Sequence, residues 1–213
     1  MTIEEIYEKY KIPINLQEHM LRVAAVGQII CKNLKSNMDI DKELLIKTLL
    51  LHDMGNILKF DFSKTNFLSE PDKKRIRKFK EAQKKMRKKY GNDTDKVTVL
   101  IIQEITSDKR ISDLCTNSHG QHAKDFINTE EWERKISYYA DMRIGPFGVL
   151  SVSKRFDDLI ERNQSKKILL EQYRQECLEI EKQLQERTSI DLNQITDVMV
   201  NNTIKELKKT QIN

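Results

Sequence analysis

The adjacent residues His52 and Asp53 are the part of this sequence best suited to chemistry, because they end the apolar run LLIKTLLLHDMGN. An apolar helix has no structural need for two polar side chains at its end. Moving a polar group out of water without a partner costs roughly 2 to 7 kcal/mol, and an unpaired carboxylate costs more. A divalent cation would satisfy both side chains at once, so the pair indicates a metal site.

Two more polar residues stand where apolar residues are expected. His19 follows the three- and four-residue spacing of the buried side of a helix, and Asp141 lies in a segment that is apolar almost all round from Ile136 to Met142. Together the four side chains suit a six-coordinate Mn²⁺, Fe²⁺, Co²⁺, Ni²⁺ or Mg²⁺ with open water positions. Such an ion would acidify water and polarise a phosphoryl oxygen.

Helices must position these residues. The spacing predicts one helix from Leu16 to Ile30, and a second that starts near Asp39 or Asp41 and stops at Gly55. Residues 96–105, KVTVLIIQEI, have no turn or partner strand nearby and are predicted to form a buried helix. Asn128 and Glu131 resemble a capping box that opens the helix carrying Asp141.

Later helices are predicted over residues 151–161 and 169–184, with a last helix capped by Asp191. They carry no chemistry that the sequence identifies. We therefore expect an all-α fold with residues 1–160 as the functional domain. Residues 161–213 form a helical extension that packs on this domain or on an oligomer partner.

Composition supports this fold class. The 213 residues are 38% hydrophobic and 33% charged, and only six glycines and three prolines argue against a sandwich or barrel of short strands. Three cysteines without short spacing predict buried thiols in a reducing compartment. The sequence has no apolar run of membrane-spanning length and its first residues do not resemble a secretory leader, so we expect a cytoplasmic protein without a membrane partner.

A basic segment runs from Lys73 to Lys89, with eleven lysines and arginines and only Glu81 as an acid. Such a cluster could meet phosphates of a nucleotide or nucleic acid. Apolar residues recur within it at helical spacing, namely Ile76, Phe79, Met86 and Tyr90. The favoured interpretation is an amphipathic helix with a solvated basic face.

The order of these residues resembles the HD-domain metal-dependent phosphohydrolases. His19 lies in EHMLRVA, His52 and Asp53 in LLLHDMG, and Asp141 in YYADMRIG. The resemblance covers about residues 14–160. It implies a bundle of five or more helices around a metal, and hydrolysis of phosphate monoesters or diesters, often in nucleotides.

By position, the resemblance makes His19, His52, Asp53 and Asp141 the metal ligands, with Asp53 and His52 as the catalytic pair. Asn56 stands where family members commonly have lysine, and Lys59 follows three residues later. A GYP motif is absent, which disfavours the subclass that cleaves cyclic dinucleotides.

A binuclear subset of the family has two further histidines between the HD pair and the last aspartate. Here only His119 and His122 are present, three residues apart. His119 could fill one position, with Asp93 or Asp95 in the other, or both histidines lie on a polar segment without a metal. One divalent metal is the expectation, and a second metal or a substrate contact is the alternative role of this histidine pair.

Phosphate recognition needs cations besides the metal, and guanidinium groups match phosphate in a bidentate way. The candidates near the proposed ligands are Arg22, Arg143, Arg155 and Lys59. Each could equally be an exposed ion-pair partner on a charge-rich surface.

Three functions remain open from the sequence. The leading one is a phosphohydrolase acting on a phosphate ester, for which the family resemblance favours a nucleotide or a related small phosphorylated metabolite. The second is a non-catalytic module that binds a metal or nucleotide and signals occupancy through the C-terminal helices. The third, ranked last, is nucleic-acid binding by the basic segment, which lacks an aromatic stacking platform.

Overall fold

Helices dominate the computed structural model, which describes residues 1–35, 38–116 and 123–213. The prediction of an all-α fold is confirmed. The described α-helices are α1 (Ile3–Lys9), α2 (Ile14–Lys32), α3 (Lys42–Leu51), α4 (Glu70–Lys73), α5 (Ile76–Tyr90), α6 (Thr94–Ile105), α7 (Lys109–Thr116), α8 (Ala123–Phe126), α9 (Trp132–Met142), α10 (Val152–Arg162), α11 (Lys167–Arg187) and α12 (Asp197–Leu207). Short 3-10 helices span Met54–Lys59, Gln164–Lys166 and Leu192–Gln194, and strands β1 (Ile144–Gly145) and β2 (Gly148–Val149) form an antiparallel hairpin.

Helix α2 lies at the centre of the bundle and packs against α3, α9 and α12. Met20, Val23, Val26 and Ile30 on this helix are fully buried. Because neighbours cover most of its circumference, a polar side chain on α2 must find its partners inside the protein. His19 is therefore placed where a ligand or an ion pair is needed.

The second predicted helix begins as expected but ends earlier. The Asp41 side chain accepts a hydrogen bond from the Leu44 amide at 3.0 Å and caps α3. The predicted stop at Gly55 is wrong, since α3 ends at Leu51 and Gly55 lies within the following 3-10 helix. Gly55 is instead required for close approach, because its amide donates to Thr98 Oγ1 at 2.8 Å.

The segment at residues 96–105 is a helix, α6, as predicted. The capping box proposed for α9 is wrong. This helix begins after Glu131, whose side chain makes no capping hydrogen bond, and Glu131 instead pairs with the Thr129 hydroxyl at 3.2 Å. Asp141 still falls in the last turn of α9, which is the feature that matters for the site.

The C-terminal helices pack against the same bundle. Helix α11 contacts α9 and α10, and α12 contacts α2. Asp191 caps the 3-10 helix at Leu192–Gln194, not α12 as predicted. Ile168 and Val198 are well exposed on this segment. Oligomerisation through these helices stays a prediction.

Most of the basic segment lies in α5, which has the predicted amphipathic character, whereas Lys73 ends α4 and Arg75 precedes α5. Phe79 and Met86 are buried, while the basic residues lie at the surface, several of them in ion pairs. Lys89 contacts Glu104 at 2.5 Å, and Arg87 donates to the Leu58 carbonyl at 2.6 Å. Helix α5 thus braces the 3-10 helix that follows Asp53.

Two further expectations concern the interior and the membrane. Cys31, Cys115 and Cys177 are all buried and free, as predicted. Among the residues that the structure describes, none of the helices combines the length and apolar character needed to cross a bilayer.

Substitution Gly55→Ala should destabilise the protein and displace the HD pair. The new methyl group would sit 2.1 Å from the Thr94 carbonyl oxygen, which is backbone and cannot move away. We expect a loss of about 3 kcal/mol in the free energy of unfolding, measured by urea denaturation. Gly27→Ala is the control, because its methyl group would meet only side-chain atoms, closest the terminal Leu49 Cδ1 at 2.4 Å, which can shift by rotation where backbone cannot, so the loss should be clearly smaller than that of Gly55→Ala. Equal effects of the two substitutions would contradict this account.

Candidate metal centre

Three helices bring the four predicted ligands together. His19 comes from the first half of α2, His52 and Asp53 follow the end of α3, and Asp141 lies near the end of α9. The Nε2 atom of His19 lies 3.4 Å from Asp53 Oδ2 and 3.2 Å from Asp141 Oδ1, and Nε2 of His52 lies 3.8 and 3.9 Å from the same oxygens. The two imidazole rings are 5.4 Å apart between centroids.

The orientation of His52 is set by its other ring nitrogen. Nδ1 lies 2.7 Å from the Leu49 carbonyl oxygen, so Nδ1 carries the proton and donates it to that acceptor. Nε2 is then the free lone-pair donor. It is buried and has no hydrogen-bond partner in the part of the chain that the structure describes. A metal-ligating histidine has this arrangement.

His19 shows that the position between the carboxylates favours positive charge. Burial by itself would lower the pKa of His19, but the hydrogen bonds and charges of Asp141 and Asp53 outweigh burial and raise this pKa to about 10. Without a metal, the single positive charge of the His19 imidazolium offsets one of the two carboxylate charges. A divalent cation bound at the same place would perform that task with more charge.

Asp53 is held as a carboxylate. Burial opposes ionisation, yet the nearby imidazoles of His52 and His19 and a hydrogen bond from the Asn56 side chain hold the pKa of Asp53 well below its usual range. Asp141 behaves alike, because the hydrogen bond and charge of His19 outweigh burial and lower its pKa. Metal ligation requires this deprotonated form.

These residues fit a divalent cation. Ligand atoms from His19, His52 and Asp141 all lie within 4.8 Å of one another, and Asp53 Oδ2 adds a fourth donor in the same space. The buried Nε2 of His52 has no hydrogen-bond partner among the described residues. A cation or a proton donor would supply one. Nitrogen and carboxylate donors in this combination suit the first-row metals and Mg²⁺.

A cavity of about 740 Å³ opens onto the cluster and contains His19, Asp53 and Asp141 in its wall. Two predicted phosphate ligands, Lys59 and Arg155, line it as well. The wall also contains residues that the sequence analysis did not assign to the site, namely Asn15, Asn56, Phe60, Lys166 and Tyr173. Lys166 and Tyr173 belong to the C-terminal segment, to which the sequence analysis assigned no chemistry.

Arg22 lies beside this cavity rather than within its wall. It lines an adjoining cavity of about 590 Å³, whose wall also includes His19 and Arg155. Its guanidinium lies 3.7 Å from Glu18, one turn earlier on α2. This loose ion pair leaves Arg22 able to contact a ligand.

Arg143 is placed differently from the prediction. Its side chain is fully buried and donates to the Leu150 and Leu192 carbonyl oxygens, the latter at 2.6 Å, and to the Tyr139 hydroxyl at 2.5 Å. A guanidinium committed to these acceptors has no face left for phosphate. Arg143 is therefore a structural tie between α9 and the C-terminal segment.

The hypothesis of a second metal ion depends on a histidine pair, His119 and His122, and on one of two aspartates, Asp93 or Asp95. His119 and His122 lie outside the described residues. Of the two aspartates proposed as substitutes, Asp93 caps α6 by accepting from the amides of Asp95 and Lys96, whereas Asp95 lines the large cavity. Asp95 is thus the acid that a second ion could meet, and a second ion stays a prediction.

Comparison with known proteins gives one family match. A family model described as the HD domain matches residues 16–144, which include all four proposed ligands. No curated protein and no solved structure matches the chain significantly.

Divalent metal should stabilise the folded protein through this cluster. At a free Mn²⁺ concentration about 100 times the dissociation constant, we expect about 2.7 kcal/mol of added stability, measured as a rise in melting temperature over a chelator-treated sample. His52→Gln should abolish the rise, while Asp93→Asn, which keeps its helix cap outside the cluster, should retain it. An unchanged rise in His52→Gln would place the metal elsewhere.

Loss of Arg143 should act on stability. Arg143→Leu leaves the Leu150 and Leu192 carbonyls without their donor, and we expect a loss of about 3 kcal/mol in the free energy of unfolding. Arg22→Leu removes only a loose surface ion pair and should cost less than about 1 kcal/mol. Urea denaturation of both variants measures these losses. Comparable losses would show that the buried hydrogen bonds of Arg143 contribute no more to stability than a surface ion pair does.

Proposed function

The chain belongs to the HD-domain family, whose members are generally metal-dependent hydrolases, and from this premise we propose that it hydrolyses a small phosphate ester, with nucleotides as the preferred substrate class. The observation that carries the proposal is the buried Nε2 of His52, which has no partner among the described residues and faces two carboxylates and a second imidazole. A metal site that opens onto a large cavity is a site for chemistry.

Charge balance explains why the substrate would be a phosphate ester. Two carboxylates and two neutral imidazoles around one divalent cation carry no net charge. The negative charge of a substrate must then be met by positive charge in the cavity wall, where Lys59, Arg155 and Lys166 outnumber the acid Asp95. This combination of a neutral metal centre and a basic wall suits a phosphoryl group.

When bound, a divalent cation supplies a Lewis acid that polarises a phosphoryl oxygen. Backbone and side-chain groups of this chain orient the residues that would hold the cation. The Leu49 carbonyl fixes the His52 ring, and Asn56 holds Asp53 in place. Donors that are held before the substrate arrives need no reorganisation during the reaction.

Arg155 is the best placed cation for the phosphoryl group. Its side chain is mostly buried, and Nη1 is oriented by Asp158 at 2.9 Å. Its Nε atom is buried and has no hydrogen-bond partner among the described residues. A fixed guanidinium with an unused donor can bind a phosphoryl oxygen without first losing side-chain freedom.

The organic part of the substrate would lie against aromatic and aliphatic side chains. Phe60 and Tyr173 line the cavity, with Leu16 and Leu170 between the polar groups. Aromatic faces favour flat rings, and about 740 Å³ is ample for a nucleotide. These features support a nucleotide over a small polar ester.

The test is a substrate panel assayed with purified protein and each of Mn²⁺, Fe²⁺, Co²⁺, Ni²⁺ and Mg²⁺. We expect release of phosphate and a phenol from an aryl phosphate, and faster turnover of a nucleotide. Asp53→Asn should lower kcat by more than about 100-fold because it removes a ligand charge. Asp93→Asn, with an exposed carboxylate outside the metal cluster, is the matched control and should be unaffected.

Two results would contradict the proposal. Absence of turnover with every metal and substrate, together with equal metal content in wild type and Asp53→Asn, would exclude a metal-dependent hydrolase. A rise in melting temperature with nucleotides but without turnover would favour a non-catalytic binding module instead.

A further inference from the structure

A separate cavity of about 350 Å³ lies between the end of α1, helix α5 and the end of α6. We call it the lysine cavity, because its wall includes Lys9, Lys11, Lys78, Lys85 and Lys89. No described residue lines both this cavity and the one that opens onto the metal ligands. Helix α5 stands between them, since Arg87 donates to the Leu58 carbonyl while Lys89 points to nearly the opposite side of the helix. The two cavities can therefore hold different ligands.

The wall of the lysine cavity has a surplus of positive charge. Among the described residues that line it are five lysines but two acids, Glu81 and Glu104. Lys9, Lys78 and Lys85 form no ion pair in the part of the chain that the structure describes. Their ammonium groups are therefore available to an anion from solution.

The acids around the lysine cavity do not remove this surplus, because other cations share them. Glu81 lies 3.6 Å from Arg77, which is outside the wall. Glu8, also outside the wall, pairs with Lys11 at 2.7 Å and with Arg75 at 2.6 Å. Five lysines against two glutamates leave three positive charges in the wall, which a ligand or dissolved ions must neutralise.

The floor of the lysine cavity is apolar and aromatic. Tyr10 and Met86 are buried there, and Tyr90 is half-buried beside them. The Nζ atoms of Lys9 and Lys89 lie 5.2 and 4.8 Å from the ring centroids of Tyr10 and Tyr90. A ligand whose ring packs on this floor would bring its charged group within reach of the lysines at the rim.

One hydrogen-bond donor on this floor is unused. The Tyr10 hydroxyl is buried and forms no hydrogen bond within the described part of the chain. Burial and the charge of nearby Glu104 raise the pKa of Tyr10, so the hydroxyl keeps its proton. A buried donor without an acceptor costs roughly 1 to 3 kcal/mol. An acceptor oxygen of a ligand would recover this free energy.

An anionic group already occupies one end of the lysine cavity. The carboxylate of Glu104 accepts hydrogen bonds from Lys89 Nζ and from the Tyr90 hydroxyl, each at 2.5 Å. Ammonium and phenol donors of this wall thus converge on anionic oxygens. Lys78, Lys85 and Lys9 offer further donors of the same kind without such a partner.

We propose that the lysine cavity binds a small organic phosphate, whose flat ring lies on the aromatic floor and whose phosphoryl group contacts the unpaired lysines. A phosphate monoester carries a charge of about −1.5 to −2 at neutral pH, which neutralises more of the surplus than one carboxylate does. A volume of about 350 Å³ is at the lower end for ligand cavities and suits a single ring.

This site serves recognition and not turnover. No histidine is among the described residues of its wall, and both of its carboxylates face cations. The potential metal ligands that cluster in the described structure are His19, His52 and Asp141, which lie at the other cavity. The ligand of the lysine cavity is therefore bound unchanged, and the inference goes beyond the proposed hydrolysis.

Titration of the full chain with phenylphosphonate, a stable analogue of a phosphate monoester, tests the inference. Chelator treatment keeps divalent metal out of the experiment, and NMR shifts of backbone amides report which residues respond. We expect responses at Tyr10, Ala82 and Met86. The dissociation constant should be at least about tenfold lower than for inorganic phosphate, which lacks the ring, and for benzoate, which carries one charge.

Lysine variants locate the phosphoryl group. Lys78→Gln combined with Lys85→Gln should weaken phenylphosphonate binding at least about tenfold, because two unpaired charges leave the wall. Lys84→Gln is the matched control, since it removes an exposed lysine of α5 that lies outside the wall. The control should change the dissociation constant by less than about twofold.

A tyrosine variant tests the unused donor. Tyr10→Phe removes the hydroxyl and keeps the ring, so it should weaken binding about fivefold. It should not lower the free energy of unfolding measured in urea, because the hydroxyl has no hydrogen bond to lose among the described residues. Unchanged binding would contradict the contact between this hydroxyl and the ligand.

The remaining outcomes separate this inference from its alternatives. Amide shifts confined to the cavity at the metal ligands would overturn it, as would benzoate or inorganic phosphate binding as tightly as phenylphosphonate. Equal weakening by Lys84→Gln and by the double variant would indicate a diffuse basic surface, such as one that binds nucleic acid, and would also overturn it. Failure of the proposed hydrolysis would leave it intact, because the titration requires neither metal nor turnover.

Discussion

The partial burial and mutual repulsion of two carboxylates are the constraint on which this structure depends. Asp53 and Asp141 face the same imidazole, and the charge of Asp53 opposes ionisation of Asp141. Both stay ionised because His19, His52 and, for Asp53, the Asn56 side chain favour the carboxylate form, a task that a bound cation would also perform. Helices α2, α3 and α9 must therefore pack so that His19, His52, Asp53 and Asp141 face one another, with the apolar core around this cluster.

The scaffold keeps this arrangement rigid. Neighbours cover α2 on most sides, a backbone carbonyl fixes the His52 ring, and Gly55 lets α6 approach the 3-10 helix that carries Asn56. Each of these contacts is of a common kind, and together they restrict the positions that the proposed ligand side chains can adopt. Preorganisation of this kind is what distinguishes a metal site that can do chemistry from a chance cluster of polar groups.

Local patterns predicted the helices and the ligand candidates because those features are local. His19 could be assigned to a helix from three- and four-residue spacing, and Asp141 from the apolar character of its segment. Capping chemistry located the start of α3 near Asp39 or Asp41. Gly55 could not be understood in this way, since its role depends on Thr98, more than forty residues later. Tyr173 was missed for the same reason, because only packing of α11 against the bundle places it in the cavity wall. Arg143 was misassigned because proximity to Asp141 in sequence says nothing of the direction of its side chain.

Arg143 also couples the stability of the metal centre to that of the C-terminal segment. It follows Asp141 by two residues and donates a hydrogen bond to the Leu192 carbonyl. Helix α9 and the C-terminal segment therefore share one buried hydrogen-bond network. Unfolding of the C-terminal segment would leave the Arg143 guanidinium without its Leu192 acceptor, and unfolding of α9 would leave that carbonyl without its donor, so the folding of the two parts is coupled. The affinity for a cation therefore reports on the integrity of a segment that contributes no ligand. Selection on metal affinity would then act on residues that lie well outside the coordination sphere.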